Sequence, residues 1–171
     1  MRATRVKLTQ EVTRNDALTM IDWMGCQEVT EYMNEAGNIA SEIGNLVKRV
    51  NLSIMTHLFN QDGSFYIIST DENQPIGFVK LKDRNREAEM VIMIGDRQQW
   101  GNGYGTETIR EMLNHAFFRK RVPRVIAKIH PKNVRSVKAF EKAGFLFESE
   151  LNQFHLYSIT FEDFIRGIVK K

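Results

Sequence analysis

The stretch Trp100-Gly101-Asn102-Gly103-Tyr104-Gly105-Thr106-Glu107 places three glycines between a predicted strand over 87–94 and a predicted helix that begins at Thr106. Closely spaced glycines let a backbone turn sharply and approach a ligand closely. The free amides at the start of the helix then point toward one spot, which the helix dipole makes positive. The stretch therefore predicts a site for a phosphate or pyrophosphate, with a tight turn that binds nothing as the alternative.

Two common phosphate-binding motifs do not fit this stretch. A Walker loop ends in Gly-Lys-Ser or Gly-Lys-Thr, whereas Gly105 is followed by Thr106-Glu107. A Rossmann fingerprint needs the spacing GxGxxG in the first strand–helix unit. The glycines of this turn instead occupy alternate positions, and several predicted strands precede them. A different class of phosphate-binding site is therefore indicated.

The elements around the turn follow from hydrophobic periodicity and turn residues. The helix after the turn, over 106–118, carries an apolar stripe made by Ile109, Met112, Leu113, Ala116 and Phe117. Strands are predicted over 5–12, 64–70, 76–82, 87–94, 124–129, 145–151 and 154–160. Further helices are predicted over 17–34, 39–50, 133–143 and 161–169. Antiparallel hairpins followed by alternating strands and helices predict an α/β or α+β fold with three layers.

Length and composition limit the function classes. The 171 residues contain no internal repeat and no linker, so we expect a single domain over 1–171. A net charge of +3 does not by itself imply nucleic acid, and no apolar run approaches the roughly 20 residues that span a bilayer. The four histidines lack paired-ligand spacing, so we expect no metal. Cys26, the single cysteine, suits a reducing compartment, and we expect a cytoplasmic location.

A second block joins the glycine-rich turn in a family resemblance. The block is Asn133-Val134-Arg135-Ser136-Val137-Lys138-Ala139-Phe140-Glu141-Lys142-Ala143-Gly144-Phe145. The two blocks resemble the acetyl-CoA signature and the following helix of the GNAT superfamily of N-acetyltransferases. With Trp100 at the usual Arg or Gln place, they resemble the branch of ribosomal-protein N-terminal acetyltransferases and polyamine acetyltransferases. The resemblance implies a mixed, mostly antiparallel central sheet flanked by helices, an acetyl-CoA-binding core over about 64–157 and acceptor-side helices over about 14–50.

The resemblance also implies how acetyl-CoA is held. Backbone groups of the strand before the turn pair with the pantetheine arm as an added strand would. The amides of the turn meet the pyrophosphate, and the second block faces the cofactor across a splay between strands. The cofactor-binding residues implied in this way are Ile92, Met93, Ile94, Trp100, Gly101, Asn102, Gly103, Tyr104, Gly105, Thr106, Asn133, Ser136 and Phe140.

The implied reaction is direct transfer of an acetyl group from acetyl-CoA to a primary amine of a small molecule or a protein N-terminus. A protonated amine cannot attack, so a base or a water chain must remove a proton. Glu89 is the first candidate because it lies four residues before Met93 on the same strand and therefore on the same face. Glu87 shares that face and is the second candidate. A solvated carboxylate is the alternative for each of them.

The proton for the departing thiolate lacks its usual source. In the family a tyrosine often donates it, and this sequence has Phe140 at that place. Ser136 is our candidate for a catalytic donor, with Tyr104 and Tyr157 as alternatives, or the thiolate leaves without assistance. The missing tyrosine also keeps open a non-catalytic acyl-CoA-binding sensor on the same fold, and a nucleotide-binding module is a third possibility.

The acceptor is the least defined part of the prediction. Several carboxylates on the helices over 17–50 would attract a cationic amine, such as a polyamine, an aminoglycoside or a protein amino terminus. Scattered surface acids are the simpler explanation, since Glu and Asp are mostly exposed. A homodimer is compatible with the sequence, which does not fix the oligomeric state.

Overall fold

The structure of the protein, a computed structural model, describes residues 5–33 and 36–170, and for 36–38 it describes the backbone alone. One sheet has seven strands in the order β1-β2-β3-β4-β5-β7-β6. The strands are β1 (Val6–Thr9), β2 (Gly63–Thr70), β3 (Pro75–Arg84), β4 (Glu87–Ile94), β5 (Arg124–Ile129), β6 (Leu146–Leu151) and β7 (Phe154–Thr160). The helices are α1 (Arg14–Met24), α2 (Gln27–Thr30), α3 (Ala36–Arg49), α4 (Thr56–Phe59), α5 (Tyr104–Asn114), α6 (Val134–Lys142) and α7 (Phe161–Val169).

The strands pair antiparallel except for β4 with β5, which run parallel. Each face of the sheet carries its own apolar cluster. One cluster joins the sheet to α5, α6 and α7. The other joins the opposite face to α1, α3 and α4. The prediction of a three-layer fold with a mixed, mostly antiparallel sheet flanked by helices is confirmed.

The parallel pair β4–β5 opens into a splay. Its paired residues are Ala88 with Val125 and Glu89 with Ile126, at the beginning of both strands. Farther along, β4 stays paired with β3 as far as Ile94, and β5 stays paired with β7 as far as Ile129. The two halves of the sheet therefore diverge toward the carboxyl ends of β4 and β5, which leaves a gap in the middle of the sheet.

Some element boundaries differ from the prediction. The helix expected over 17–34 is divided into α1 and α2 at Gly25-Cys26. It starts earlier than expected because Thr13 and Asp16 form a capping box, in which each side chain accepts a hydrogen bond from the other residue's backbone N–H. The helix expected over 106–118 ends in a π-helical turn, His115–Arg119. The short helix α4 was not predicted.

In the two described ranges, no helix combines the length and the apolar character needed to cross a bilayer.

Candidate active site

The glycine-rich turn lies at the carboxyl end of β4 and leads into α5. Gly101 and Gly103 adopt left-handed backbone conformations, with φ of 78° and 85°, and Gly103 is the residue that precedes α5. A residue with a Cβ atom is strained in this region. The turn therefore favours glycine at these two positions, and it leads directly into the amino end of α5.

Trp100 fastens the turn to the sheet. Its indole Nε1 donates a hydrogen bond of 2.8 Å to the carbonyl oxygen of Ile94. The guanidinium carbon of Arg135, on α6, lies 3.3 Å from the centre of the Trp100 ring. An arginine at this distance from an indole face makes a cation–π contact. Trp100 thus joins the end of β4 to α6 across the opening.

Arg5 holds the outer side of the turn, which sequence reasoning did not predict. Its backbone N–H donates to the Glu107 carboxylate at 2.6 Å. Its guanidinium donates to the carbonyl oxygen of Asn102 at 2.8 Å and lies 5.0 Å from the centre of the Tyr104 ring. These contacts span about a hundred positions of sequence, so local patterns carry no signal for them.

A cleft of about 290 Å³ lies beside the end of β4, where β4 is no longer paired with β5. Its wall includes all but one of the predicted cofactor-binding residues, namely Ile92, Met93, Ile94, Trp100, Gly101, Gly103, Tyr104, Gly105, Thr106, Asn133, Ser136 and Phe140. Asn102 is the exception, and Arg5 holds its carbonyl on the outer side of the turn. The structure therefore brings the two sequence blocks to one cavity.

Two further groups of residues line the cleft, the first of them from the region that the sequence suggested for the acceptor. The first belongs to α2 and the residues after it: Glu28, Val29, Tyr32 and Met33. It is held by tertiary contacts, an ion pair of 2.5 Å between Arg97 and Glu28 and a stacked pair of rings, Tyr32 and His130, with centroids 5.0 Å apart. The second consists of three cations on α6: Arg135, Lys138 and Lys142. Their spacing of three and four residues places them on one helical face, a signal in the sequence that fits an anionic ligand.

Glu89 lies at the closed end of the splay and is not among the residues that line the cleft. Its side chain is 6% exposed, with one oxygen 3.1 Å from Lys128 Nζ and the other 3.1 Å from an Arg84 guanidinium nitrogen. Burial raises the pKa of the carboxyl, but the hydrogen bonds and charges of Lys128 and Arg84 outweigh burial, so the pKa lies below its ordinary value. Glu87, two residues earlier, pairs with Arg124 at 2.9 Å.

The residues considered as proton donors differ in their access to the cleft. Phe140 is buried, lines the cleft and packs edge-to-face on Phe145 with ring centroids 4.9 Å apart. Ser136 and Tyr104 also line the cleft, whereas Tyr157 is buried outside its wall. Burial, followed by the nearby Glu141, raises the pKa of the Tyr157 hydroxyl. The cleft therefore retains two of the hydroxyl groups that the sequence suggested.

A central sheet that opens between two parallel strands, with a glycine-rich helix start at the rim of the opening, defines the class of acyltransferases that bind a CoA thioester within the splay. The model of the acetyltransferase (GNAT) domain family matches residues 5–146, and the chain belongs to this family. It is an N-acetyltransferase that uses acetyl-CoA as its co-substrate.

Known proteins agree with this assignment. The uncharacterized N-acetyltransferase p20 of Bacillus licheniformis is 29% identical over 145 residues, 79% of this chain and 79% of that protein. The spermidine N-acetyltransferase of Vibrio cholerae, solved with CoA and spermine, superposes with a TM-score of 0.76 at 18% identity, covering 95% of this chain and 99% of that one. AAC(6')-Ib, solved with ribostamycin and coenzyme A, gives 0.74 at 16% identity, covering 95% and 96%. The two structural likenesses support the fold.

Proposed function

We propose that the protein transfers the acetyl group of acetyl-CoA directly to a primary amine of a small molecule or of a protein N-terminus. The observation that carries this proposal is a single cleft shared by the glycine-rich turn, the end of β4 and the segment 28–33. The first two are suited to the cofactor, and the segment leaves a wall on which an acceptor can lie beside the thioester. Direct attack then needs no covalent enzyme intermediate.

Binding of the cofactor follows from charges and backbone groups. Amides at the start of α5 suit the pyrophosphate, since the helix dipole favours negative charge there. The cations Arg135, Lys138 and Lys142 add positive charge from the facing helix. The backbone of β4 near Ile92 and Met93 lies beyond the residues paired with β5, so the amides of the pantetheine arm can take the place of a neighbouring strand.

Binding of a cationic acceptor is supported by Glu28 on the wall of the cleft. The Glu28 carboxylate is paired with Arg97, and both side chains reach solvent. Exposed ion pairs are worth little, so an ammonium group can replace Arg97 at low cost. The structural neighbours solved with spermine and ribostamycin bind acceptors with several amines.

Proton removal by Glu89 remains our proposal for the base. Both carboxylate oxygens are engaged by Lys128 and Arg84, so we expect the proton of the amine to reach Glu89 through water rather than by direct contact. A carboxylate with a lowered pKa is ionised at neutral pH but is a weak base. Its contribution to the rate is therefore smaller than that of a base whose pKa lies near the working pH.

The experiment that tests the function is thermal shift followed by thiol release. We expect acetyl-CoA, but not ATP, to raise the melting temperature, because ATP lacks the pantetheine arm that pairs with β4. We then expect free CoA to accumulate with at least one member of a panel of polyamines, aminoglycosides, amino acids and basic peptides. Tight acetyl-CoA binding without turnover on any amine would instead favour the acyl-CoA sensor.

Ser136→Ala is expected to lower kcat about tenfold, because a hydrogen bond to a charged group is worth roughly 1.5 kcal/mol at the lower end. The KM for acetyl-CoA should change little if the hydroxyl acts mainly on the departing thiolate. Steady-state kinetics on the best amine of the panel measures both constants. Tyr157→Phe is the matched control, since it removes a hydroxyl outside the cleft, and an equal loss in both variants would contradict a role for Ser136.

A further inference from the structure

The last helix presents an apolar stripe that the core covers only in part. The apolar residues of α7 recur at Phe161, Phe164, Ile165, Ile168 and Val169, which fall on one side of a helix. Phe164 is buried against the core, whereas Phe161, Ile168 and Val169 are 40%, 51% and 78% exposed. Clustered exposed apolar side chains mark interaction sites. The apolar stripe of α7 is therefore wider than the part of it that packs against the core.

An aromatic groove lies at the amino end of the same helix. It has a volume of about 560 Å³ and is lined by Phe117, Phe118, Arg121, Pro123, Phe161 and Glu162. Phe118 is 52% exposed and meets Phe161 edge-on, with ring centroids 6.0 Å apart. One end of α7 thus adjoins an apolar hollow, and the other end carries two exposed aliphatic side chains.

The charges of α7 are also arranged for self-pairing. Glu162 and Arg166 are exposed and lie one helical turn apart, on the same side of the apolar stripe. Two copies of α7 packed antiparallel about a twofold axis near Phe164 and Ile165 place Glu162 of each copy opposite Arg166 of the other. The same register brings Ile168 of each copy to Phe161 of the other, at the mouth of the groove.

We propose that α7, together with the groove beside it, forms the interface of a homodimer. A twofold interface needs a surface that is complementary to itself, so that every contact occurs twice. This surface meets that condition in shape, with a hollow and a projection at opposite ends of one helix. It also meets it in charge, with opposite charges at positions that exchange across the axis.

The surface lies away from the cleft. Pro123 lines the groove and directly precedes β5, whereas the splay opens at the other end of that strand. Dimer formation through α7 therefore leaves the cofactor and acceptor walls open. Variants of exposed α7 residues are expected to keep acetyl-CoA binding, which serves as a check on folding.

Paired charge reversals test the proposal on the full chain. In a homodimer of Glu162→Arg or of Arg166→Glu, like charges face each other at both of these contacts. The dissociation constant of either homodimer should therefore be at least about tenfold higher than that of the wild-type dimer. An equimolar mixture of the two variants restores opposite charges at both positions, and it should form a heterodimer. Sedimentation equilibrium, with one variant carrying a mass tag, distinguishes the heterodimer from the two homodimers.

A wild-type protein that stays monomeric at its highest soluble concentration would overturn the proposal. So would a dimer that neither reversal weakens, or a mixture that fails to associate. Ile168→Glu should also dissociate the dimer, whereas Phe147→Glu on the exposed strand β6 should not. The opposite result for this last pair would place the interface on β6 and contradict the assignment to α7.

Discussion

We expect the substitution Glu89→Gln to lower the free energy of unfolding by about 2 to 3 kcal/mol at neutral pH. Breaking a buried ion pair by removing one partner costs about 3 to 5 kcal/mol. The cost here is at the lower end or below it because Lys128 and Arg84 both reach solvent. For a chain of this size the melting temperature should fall by roughly 5 to 10 °C.

The same substitution has a defined pH dependence. Because the folded-state pKa of Glu89 lies below its ordinary value of 4.5, its ion pairs contribute full stability above that value. The contribution is lost as the pH falls through the lowered folded-state pKa, so the difference between wild type and variant should shrink in acid. Urea unfolding measured from neutral to acid pH provides the test. A difference that stays constant or grows in acid would contradict the ion-pair account.

Glu87→Gln is the matched control on the same strand and face. Its carboxylate pairs with Arg124 but is one-third exposed, so its loss should cost less than about 1 kcal/mol.

Glu89→Gln should also lower kcat about tenfold at neutral pH, less than the 100-fold or more of a well-matched base. Acetyl-CoA affinity should stay near normal, because Glu89 does not line the cleft. Unchanged rates across pH would remove Glu89 from the mechanism.

We expect the substitution Gly103→Ala to weaken acetyl-CoA binding by roughly 5- to 30-fold. The residue has φ of 85°, and a Cβ atom there costs about 1 to 2 kcal/mol. The free protein can relieve this strain by reshaping the turn, and it must restore the strained shape to present its amides to the pyrophosphate. The strain energy then appears as lost affinity, at 1.4 kcal/mol for each tenfold change. Titration calorimetry with acetyl-CoA measures the loss.

Gly44→Ala is the control for this prediction. It makes the same chemical change within α3, where the new Cβ atom would have no neighbour within 4 Å. Helical Gly→Ala substitutions stabilise by roughly 0.5 to 1 kcal/mol, so this variant should melt slightly higher and bind acetyl-CoA normally. If both variants bound acetyl-CoA as tightly as wild type, the shape of the turn would not be the source of affinity.

The parts of the fold that the sequence predicted well are those with strong local signals. The strands from β2 to β7 and the helix before Gly144 have clear periodicity and well-marked turns, and Gly144 has the left-handed φ of 106° expected of a helix cap. The glycine-rich turn was also legible, because backbone conformation at Gly101 and Gly103 restricts the residue type.

The rest depended on contacts between distant segments. Arg5 reaches the turn from the position just before β1, and Arg97 positions Glu28 on the wall of the cleft. The engagement of Glu89 by Lys128 and Arg84 arises only once β3, β4 and β5 lie side by side. A period of two residues predicted the face of Glu89 but not its neighbours, and those neighbours determine its pKa.

The splay between β4 and β5 gives the sheet two inner margins besides the outer ones at β1 and β6. Exposed strand margins invite other chains to pair with them, which leads to aggregation. A cofactor whose amide-bearing arm lies along β4 would seal one of these margins. We therefore expect protein stripped of CoA to form insoluble aggregates on storage, and added cofactor should keep it in solution.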